Sequence, residues 1–143
     1  MIYDIKCTPG SDFLLISDEI GYLKQFDLVD EQLIEDYGII HQGCIYSMAM
    51  SKNGRYLWTS DDQGCVKEWD TWFQRMVRDW GQVHEHPILS ICVSVSGLWL
   101  YTTDALGWVK IWRIKTRILL KVKRFYFSKI VSTCPAVRVI LRS

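Results

Sequence analysis

The chain has 143 residues, of which 49% are hydrophobic and 23% charged. This composition is typical of one folded domain and excludes a collagen-like or largely disordered chain. The net charge of +1 gives no argument for a nucleic-acid or membrane partner. No apolar run reaches the roughly 18 residues that span a bilayer, and no leader-like pattern follows Met1. We therefore expect a soluble protein without a transmembrane segment.

A repeat of 43 residues runs through the sequence and decides the fold class. Its three units start near residues 2, 45 and 88 and align without a gap. The shared columns include glycine, a closing aromatic residue and a hydroxyl residue, at Gly21, Gly64 and Gly107, at Phe26, Trp69 and Trp112, and at Ser17, Ser60 and Thr103. Such agreement predicts three copies of one structural unit.

Each unit is predicted to form strands separated by tight turns. In the second unit the strands are expected at 45–50, 55–60 and 65–69, with turns at 51–54 and 61–64. A fourth strand is predicted at 73–80, and its counterpart in the first unit at 32–37. The second strand of every unit carries consecutive apolar residues, so both faces of each small sheet must be covered. Radial stacking of four-stranded sheets, a β-propeller, satisfies this requirement.

At these residues the chain resembles the WD-repeat, or WD40, β-propeller family, whose units of about 40–45 residues end the third strand with Trp-Asp. Trp69-Asp70 matches that signature, and Phe26 and Trp112 match its aromatic position. His41 and His84 lie where the family places its Gly-His element. The resemblance covers residues 1–120 and implies an all-β fold of about three four-stranded antiparallel blades in an incomplete propeller.

The resemblance also implies a buried hydrogen-bonded tetrad in each blade, formed by His, Ser or Thr, Asp and the closing Trp. The family's Asp position, six residues before the aromatic, holds Ile20, Gln63 and Leu106. Acidic residues stand two places earlier, at Asp18, Asp61 and Asp104. Two interpretations stay open: an incomplete tetrad, or a tetrad whose carboxylate comes from the shifted position.

The function implied by the resemblance is a non-catalytic protein–protein interaction scaffold without a cofactor. In the family, one rim carries the turns between second and third strands and the loops that precede each first strand. The residues expected to contact protein partners on that rim are Tyr46, Asp61, Asp62, Gln63, His84, His86, Leu89, Asp104 and Leu106. This surface mixes acidic, aromatic and aliphatic groups, which suits a basic or mixed peptide.

Three blades do not close a ring, because propellers have typically 4 to 8 blades. We expect further blades from the same or another chain to cover the two open sheet faces, and the chain to be a fragment or part of an assembly. Without them, exposed apolar faces would make stability low or concentration-dependent.

Residues 121–143 form a basic, apolar tail outside the repeat, and residues 105–143 contain ten basic residues and no acid. One interpretation is a nucleic-acid or anionic-membrane adaptor acting through this segment, the alternative function. The other is a change of reading frame or gene boundary near residue 124, with a disordered or artefactual end. We favour the second because composition and repeat change together, and we expect no nucleic-acid partner.

Enzyme chemistry has little support in the sequence. His84, His86 and Cys92 are too few for a closed zinc site. The Asp61-Asp62 pair lies at a turn where an acid recurs in every repeat, as expected for turn-forming residues rather than paired catalytic acids. No Gly-rich phosphate loop or nucleophile elbow is present. Five cysteines without a C-x-x-C pair predict reduced thiols in a cytoplasmic protein.

Overall fold

The computed structural model describes residues 1–10 and 12–125, and this part of the chain contains twelve strands. The first sheet consists of β1 (Ile2–Cys7), β2 (Phe13–Asp18), β3 (Tyr22–Asp27) and β4 (Gln32–Ile39). The second consists of β5 (Ile45–Met50), β6 (Tyr56–Asp61), β7 (Cys65–Asp70) and β8 (Arg75–Gln82). The third consists of β9 (Ile88–Val93), β10 (Trp99–Asp104), β11 (Trp108–Arg113) and β12 (Ile118–Arg124).

Each sheet is an antiparallel meander in which neighbours in sequence are neighbours in space. The prediction of three four-stranded antiparallel sheets is confirmed. The fourth strands differ in their bounds, since Phe73 lies in the turn before β8, where Gln74 takes a positive φ of 53°. The last strand continues past the predicted domain boundary at residue 120, because β12 pairs with β11 as far as Arg124 opposite Trp108.

Apolar residues fill the two junctions between the sheets. Between the first and second sheets, Leu15 and Leu23 pack with Ile45, Met48 and Leu57, all of them buried. Burying a side chain of this size contributes about 1.5–3 kcal/mol. The junction of the second and third sheets is built in the same way, from Trp58, Val66, Ile88, Ile91 and Leu100. The consecutive apolar residues of the second strands are explained, because the middle sheet is covered on both faces.

The innermost strands β1, β5 and β9 lie side by side and bond across the junctions. The backbone N–H of Met48 donates to Asp4 Oδ2 at 2.7 Å, and that of Ile91 donates to Ser47 Oγ at 3.3 Å. Asp4 and Ser47 occupy the same position of the repeat. The junction is therefore a repeated polar and apolar contact, which keeps the sheets in one relative register.

The face of the first sheet that points away from the second is exposed. Ile2 and Ile5 are about half exposed, whereas the equivalent residues Ile45 and Met48 are buried at a junction. An apolar face of this kind is suited to packing against another sheet. That a further blade covers it stays a prediction.

Residues 126–143, which form most of the predicted basic tail, lie outside the described residues. Within the described part no helix is long and apolar enough to cross a membrane. Cys7, Cys44 and Cys65 carry free thiols, but Cys92 is disulfide-bonded. The expectation that all the cysteines are reduced is therefore wrong for Cys92.

Candidate interaction rim

The turn between second and third strands is built around one aspartate in every blade. Asp61 Oδ1 accepts the backbone N–H groups of Gln63 and Cys65 at 3.0 and 2.8 Å. The equivalent Asp18 and Asp104 accept the corresponding N–H groups at 2.9–3.0 Å. An Asx turn of this kind satisfies the turn's donors locally and holds its tip in one conformation.

Glycine ends this turn because the next loop lies against it. Gly64 has φ +82°, and a Cβ atom at this position would lie 2.0 Å from the backbone oxygen of His84. The backbone N–H of Val83 in turn donates to the oxygen of Gly64 at 2.8 Å. The glycine column is thus required both by its left-handed conformation and by close packing of the two backbones.

A chain of buried side-chain hydrogen bonds crosses the second blade beside this turn. His41 Nδ1 lies 2.7 Å from Asp61 Oδ2, and His41 Nε2 lies 2.7 Å from Thr59 Oγ1. Trp69 Nε1 donates to the same Thr59 oxygen at 3.0 Å. With a neutral imidazole every group has a partner: the indole donates to the hydroxyl, the hydroxyl to Nε2, and Nδ1–H to the carboxylate.

The third blade repeats the chain with a different set of residues. His84 Nδ1 lies 3.0 Å from Asp104 Oδ2, and its Nε2 lies 2.7 Å from Thr102 Oγ1. Trp112 Nε1 donates to Thr102 Oγ1 at 3.0 Å. The first blade has Ile16 and Phe26 at the Thr and Trp positions, so these two residues supply no hydroxyl and no indole N–H there.

The lysine column of the repeat adds a polar contact at each tetrad. Lys67 Nζ donates to the backbone oxygen of Ile40 at 2.5 Å, and Lys110 Nζ donates to that of Val83 at 2.6 Å. Each acceptor is the residue immediately before the tetrad histidine. The ammonium group therefore ties the third strand to the loop that carries the histidine.

Two solved structures similar to this chain identify its fold. The crystal structure of RRP9 WD40 repeats superposes with a TM-score of 0.79 at 15% identity, covering 87% of this chain and 38% of that one. The structure of U3-55K superposes with a TM-score of 0.80, also at 15% identity, covering 87% and 39%. The chain folds as three blades of a WD40 β-propeller. It spans about two fifths of the length of these two structures.

No family model and no curated protein matches the sequence. The likeness to WD40 repeat structures is therefore one of fold, at 15% sequence identity.

Three of the residues expected on the WD40 rim are buried instead. Asp61 is 3% exposed, and His84 and Asp104 are each 2% exposed. Their polar atoms are taken up by the tetrads and turns, so they are not available as a contact surface. The tetrad carboxylate comes from the aspartate two residues before the family's usual position. Asp61 binds the turn through Oδ1 and His41 through Oδ2.

In each tetrad one member has a shifted pKa: His84 in the third blade and Asp61 in the second. Burial lowers the pKa of His84, although its hydrogen bond to Asp104 opposes this shift. Burial alone would raise the pKa of Asp61, but hydrogen bonds from His41 and from the backbone of Cys65 outweigh it and lower that pKa. The lowered pKa values favour a neutral His84 and an ionised Asp61.

The remaining candidates do reach the surface of the rim. Gln63 and Leu106 are exposed at turn tips, while Tyr46, Asp62, His86 and Leu89 are partly buried. His86 lines a small cavity of about 350 Å³ together with Glu85, Trp108 and Lys110. Within the described residues no group of three or more His, Cys, Asp or Glu side chains is arranged to hold a metal ion.

The sequence predicted the closing tryptophans of the tetrads correctly but did not identify the threonines that bond to them. Trp69 is buried and Trp112 partly buried, in the positions expected for closing-strand residues. Thr59 and Thr102 were missed, because the hydroxyl column shared by all three units is the neighbouring one. In that column Ser60 Oγ donates to the Ser47 oxygen at 3.0 Å, on the other side of the strand.

Proposed function

We propose that the chain is a non-catalytic protein-interaction scaffold whose contact surface is the rim at the tetrad end of the blades. The observation that carries this proposal is one column of turn-tip residues, Ile20, Gln63 and Leu106. Their backbone N–H groups all donate to the turn aspartate, at 2.9–3.0 Å, while their side chains are exposed and differ in chemistry.

A fixed turn with a variable exposed tip is suited to recognition. The aspartate holds the backbone before any partner arrives, so little conformational entropy is lost on binding. Ile20 and Leu106, 56% and 43% exposed, offer apolar contact, and Gln63 offers hydrogen bonds. Loops on a rigid scaffold commonly carry binding in this way.

Catalysis has weaker support than binding. The His–Asp pairs of the tetrads have the composition of a general-base dyad, but they are buried and each ring nitrogen is already used within its blade. A general base must reach the proton of a bound substrate. A structural role for the tetrads accounts for all of their contacts.

The proposal is tested by capturing partners from a cell extract with the wild-type chain and with the triple variant Ile20→Glu, Gln63→Glu, Leu106→Glu. Proteins bound by the rim should be lost in the variant. Val29→Glu is the matched control, because Val29 is an exposed Asx-turn tip at the opposite end of the first blade. A set of bound proteins unchanged by the triple variant would contradict the proposal.

The adaptor function assigned to residues 121–143 depends mainly on residues outside the described part of the chain, and we do not propose it. The cytoplasmic location stays a prediction. The free thiols of Cys7, Cys44 and Cys65 are typical of a reducing compartment, whereas the disulfide at Cys92 is not.

A further inference from the structure

A cleft opens between the second and third blades at the end opposite the rim. It has a volume of about 750 Å³ and lies between the turn after β5 and the turns on either side of β10 and β11. Its walls include Val77, Val95 and Leu98, three aliphatic side chains that are all exposed. The cleft is therefore an open, largely apolar groove between two rigid sheets.

The floor of the cleft contains a buried carboxylate and a buried indole. Glu68 is 3% exposed and forms an ion pair with Arg78, whose Nε lies 3.2 Å from Glu68 Oε2. Arg78 Nη1 also donates to the backbone oxygens of Ile114 and Lys115. Trp58 is 2% exposed, and its indole interacts with the Glu68 carboxylate, which partly offsets the rise that burial causes in the pKa of Glu68.

The equivalent cleft between the first and second blades is different. Its volume is about 350 Å³, and Gln25 replaces Glu68 at the repeat position on its floor. Gln25 Oε1 accepts the Tyr37 hydroxyl at 2.9 Å. Of these two junctions, only the second therefore has a buried carboxylate on its floor and the larger opening.

The mouth of the larger cleft is basic. Lys52, Arg113 and Lys115 line it and are exposed, and none of them forms an ion pair within residues 1–10 and 12–125. The only acid in its lining, Glu68, is buried and already paired with Arg78. The surface that a partner meets thus combines aliphatic walls with unpaired positive charge.

We propose that this cleft binds an acidic peptide segment of a partner protein, with one bulky apolar side chain inserted between the two blades. The apolar side chain packs against Val77, Val95 and Leu98. Flanking carboxylates meet Lys52 and Lys115. Charge complementarity at the basic mouth selects an acidic ligand.

A peptide fits this surface better than a nucleic acid does. Single strands are bound through aromatic side chains on which successive bases stack. The exposed walls here are aliphatic, and Trp58 is too buried to offer its face. The proposal rests on the scaffold function proposed above, but it concerns a different surface from the rim.

The test pans a random peptide library displayed on phage against the full chain, and then measures the enriched peptide by fluorescence anisotropy. We expect enriched sequences with Asp or Glu around one apolar residue. In the double variant Lys52→Glu, Lys115→Glu the dissociation constant of that peptide should rise at least about tenfold. Lys121→Glu, an exposed lysine on β12, is the matched control and should leave it within about twofold.

The outcomes separate this site from the rim. If the rim triple variant binds the peptide like wild type while the cleft double variant does not, the cleft assignment is supported. This holds even if the rim variant captures the same partner proteins as wild type. Failure to enrich acidic sequences, or equal binding by the double variant and the control, would overturn the proposal. Tight binding of a single-stranded oligonucleotide, lost in the double variant, would overturn it in favour of a nucleic-acid site.

Discussion

The imidazole of His41 lies 2.7 Å from the carboxylate of Asp61, and the two residues come from different strand connections: the loop before β5 and the end of β6. The same carboxylate holds the turn that follows it through its other oxygen. One aspartate thus joins the turn at the rim to the buried hydrogen-bond chain of the blade. His84 and Asp104 repeat the relationship.

Asp61 and Asp62 are adjacent and should respond differently to removal of the side chain. Asp61→Ala leaves His41 and two backbone N–H groups without their acceptor in a buried site, and should cost about 3 kcal/mol or more. Asp62 is partly exposed, so Asp62→Ala should cost less than about 1 kcal/mol. Urea unfolding of both variants measures the difference, and similar losses would be inconsistent with the tetrad.

Thr59→Val removes the hydroxyl that joins His41 to Trp69 while keeping the shape of the side chain. We expect a loss of about 1–3 kcal/mol, since an indole N–H and an imidazole nitrogen lose their partner. Thr116→Val, in an exposed turn of the third blade, should change stability by no more than about 0.5 kcal/mol. Equal effects in thermal unfolding would show that Thr59 has no special role.

Acid should destabilise the fold through His84. Its pKa is lower in the folded chain than the ordinary 6.5, so the unfolded chain binds the extra proton first. The contribution of neutral His84 to the free energy of unfolding is fully present above pH 6.5, and it is lost as the pH falls from 6.5 toward the pKa of His84 in the folded chain. One such proton gives a slope of at most about 1.4 kcal/mol per pH unit.

The measurement is urea unfolding between pH 7.5 and 5.5, with the histidine resonances followed by NMR. His86→Gln is the control, because it removes the histidine two residues away and should keep the slope. A slope that disappears in His86→Gln, or a folded-state titration of His84 above 6.5, would contradict this prediction.

Gly64 and Gly81 form a matched pair for the turn. Both have positive φ, +82° and +70°, but an added Cβ would overlap the His84 oxygen at Gly64 and meets nothing within 4 Å at Gly81. Gly81→Ala should therefore lower the free energy of unfolding only by the cost of placing a Cβ-bearing residue in the left-handed region, about 1–2 kcal/mol. Gly64→Ala adds the steric overlap and should cost about 3 kcal/mol or more. Equal melting temperatures for the two variants would argue against the close approach of the loop.

The repeat predicted the sheets because each strand pair and turn is local in sequence. The recurring glycines at Gly21, Gly64 and Gly107 could be predicted for the same reason, because each tight turn requires glycine at its left-handed position. The tetrads were harder to predict. Their histidine lies 20 residues from its aspartate and 18 from its threonine, and the first blade has Ile16 at the threonine position.

A comparison of the last two units alone would have revealed the tetrads. The set His41, Thr59, Asp61 and Trp69 recurs at His84, Thr102, Asp104 and Trp112 with unchanged spacing. The cleft between the second and third blades could not be predicted in this way. It depends on the width of one junction and on how Arg78, Glu68 and Trp58 pack there, which no spacing in the sequence encodes.

The most direct test of the WD40 blade assignment is hydrogen exchange of the tryptophan indole N–H groups by NMR. The indole N–H of Trp69 donates to Thr59 in a buried site and should exchange far more slowly than that of Trp72, which is 58% exposed. Trp112 should also be slower than Trp72, because its N–H donates to Thr102. Exchange of Trp69 and Trp112 as fast as that of Trp72 would contradict the buried tetrads and the blades built around them.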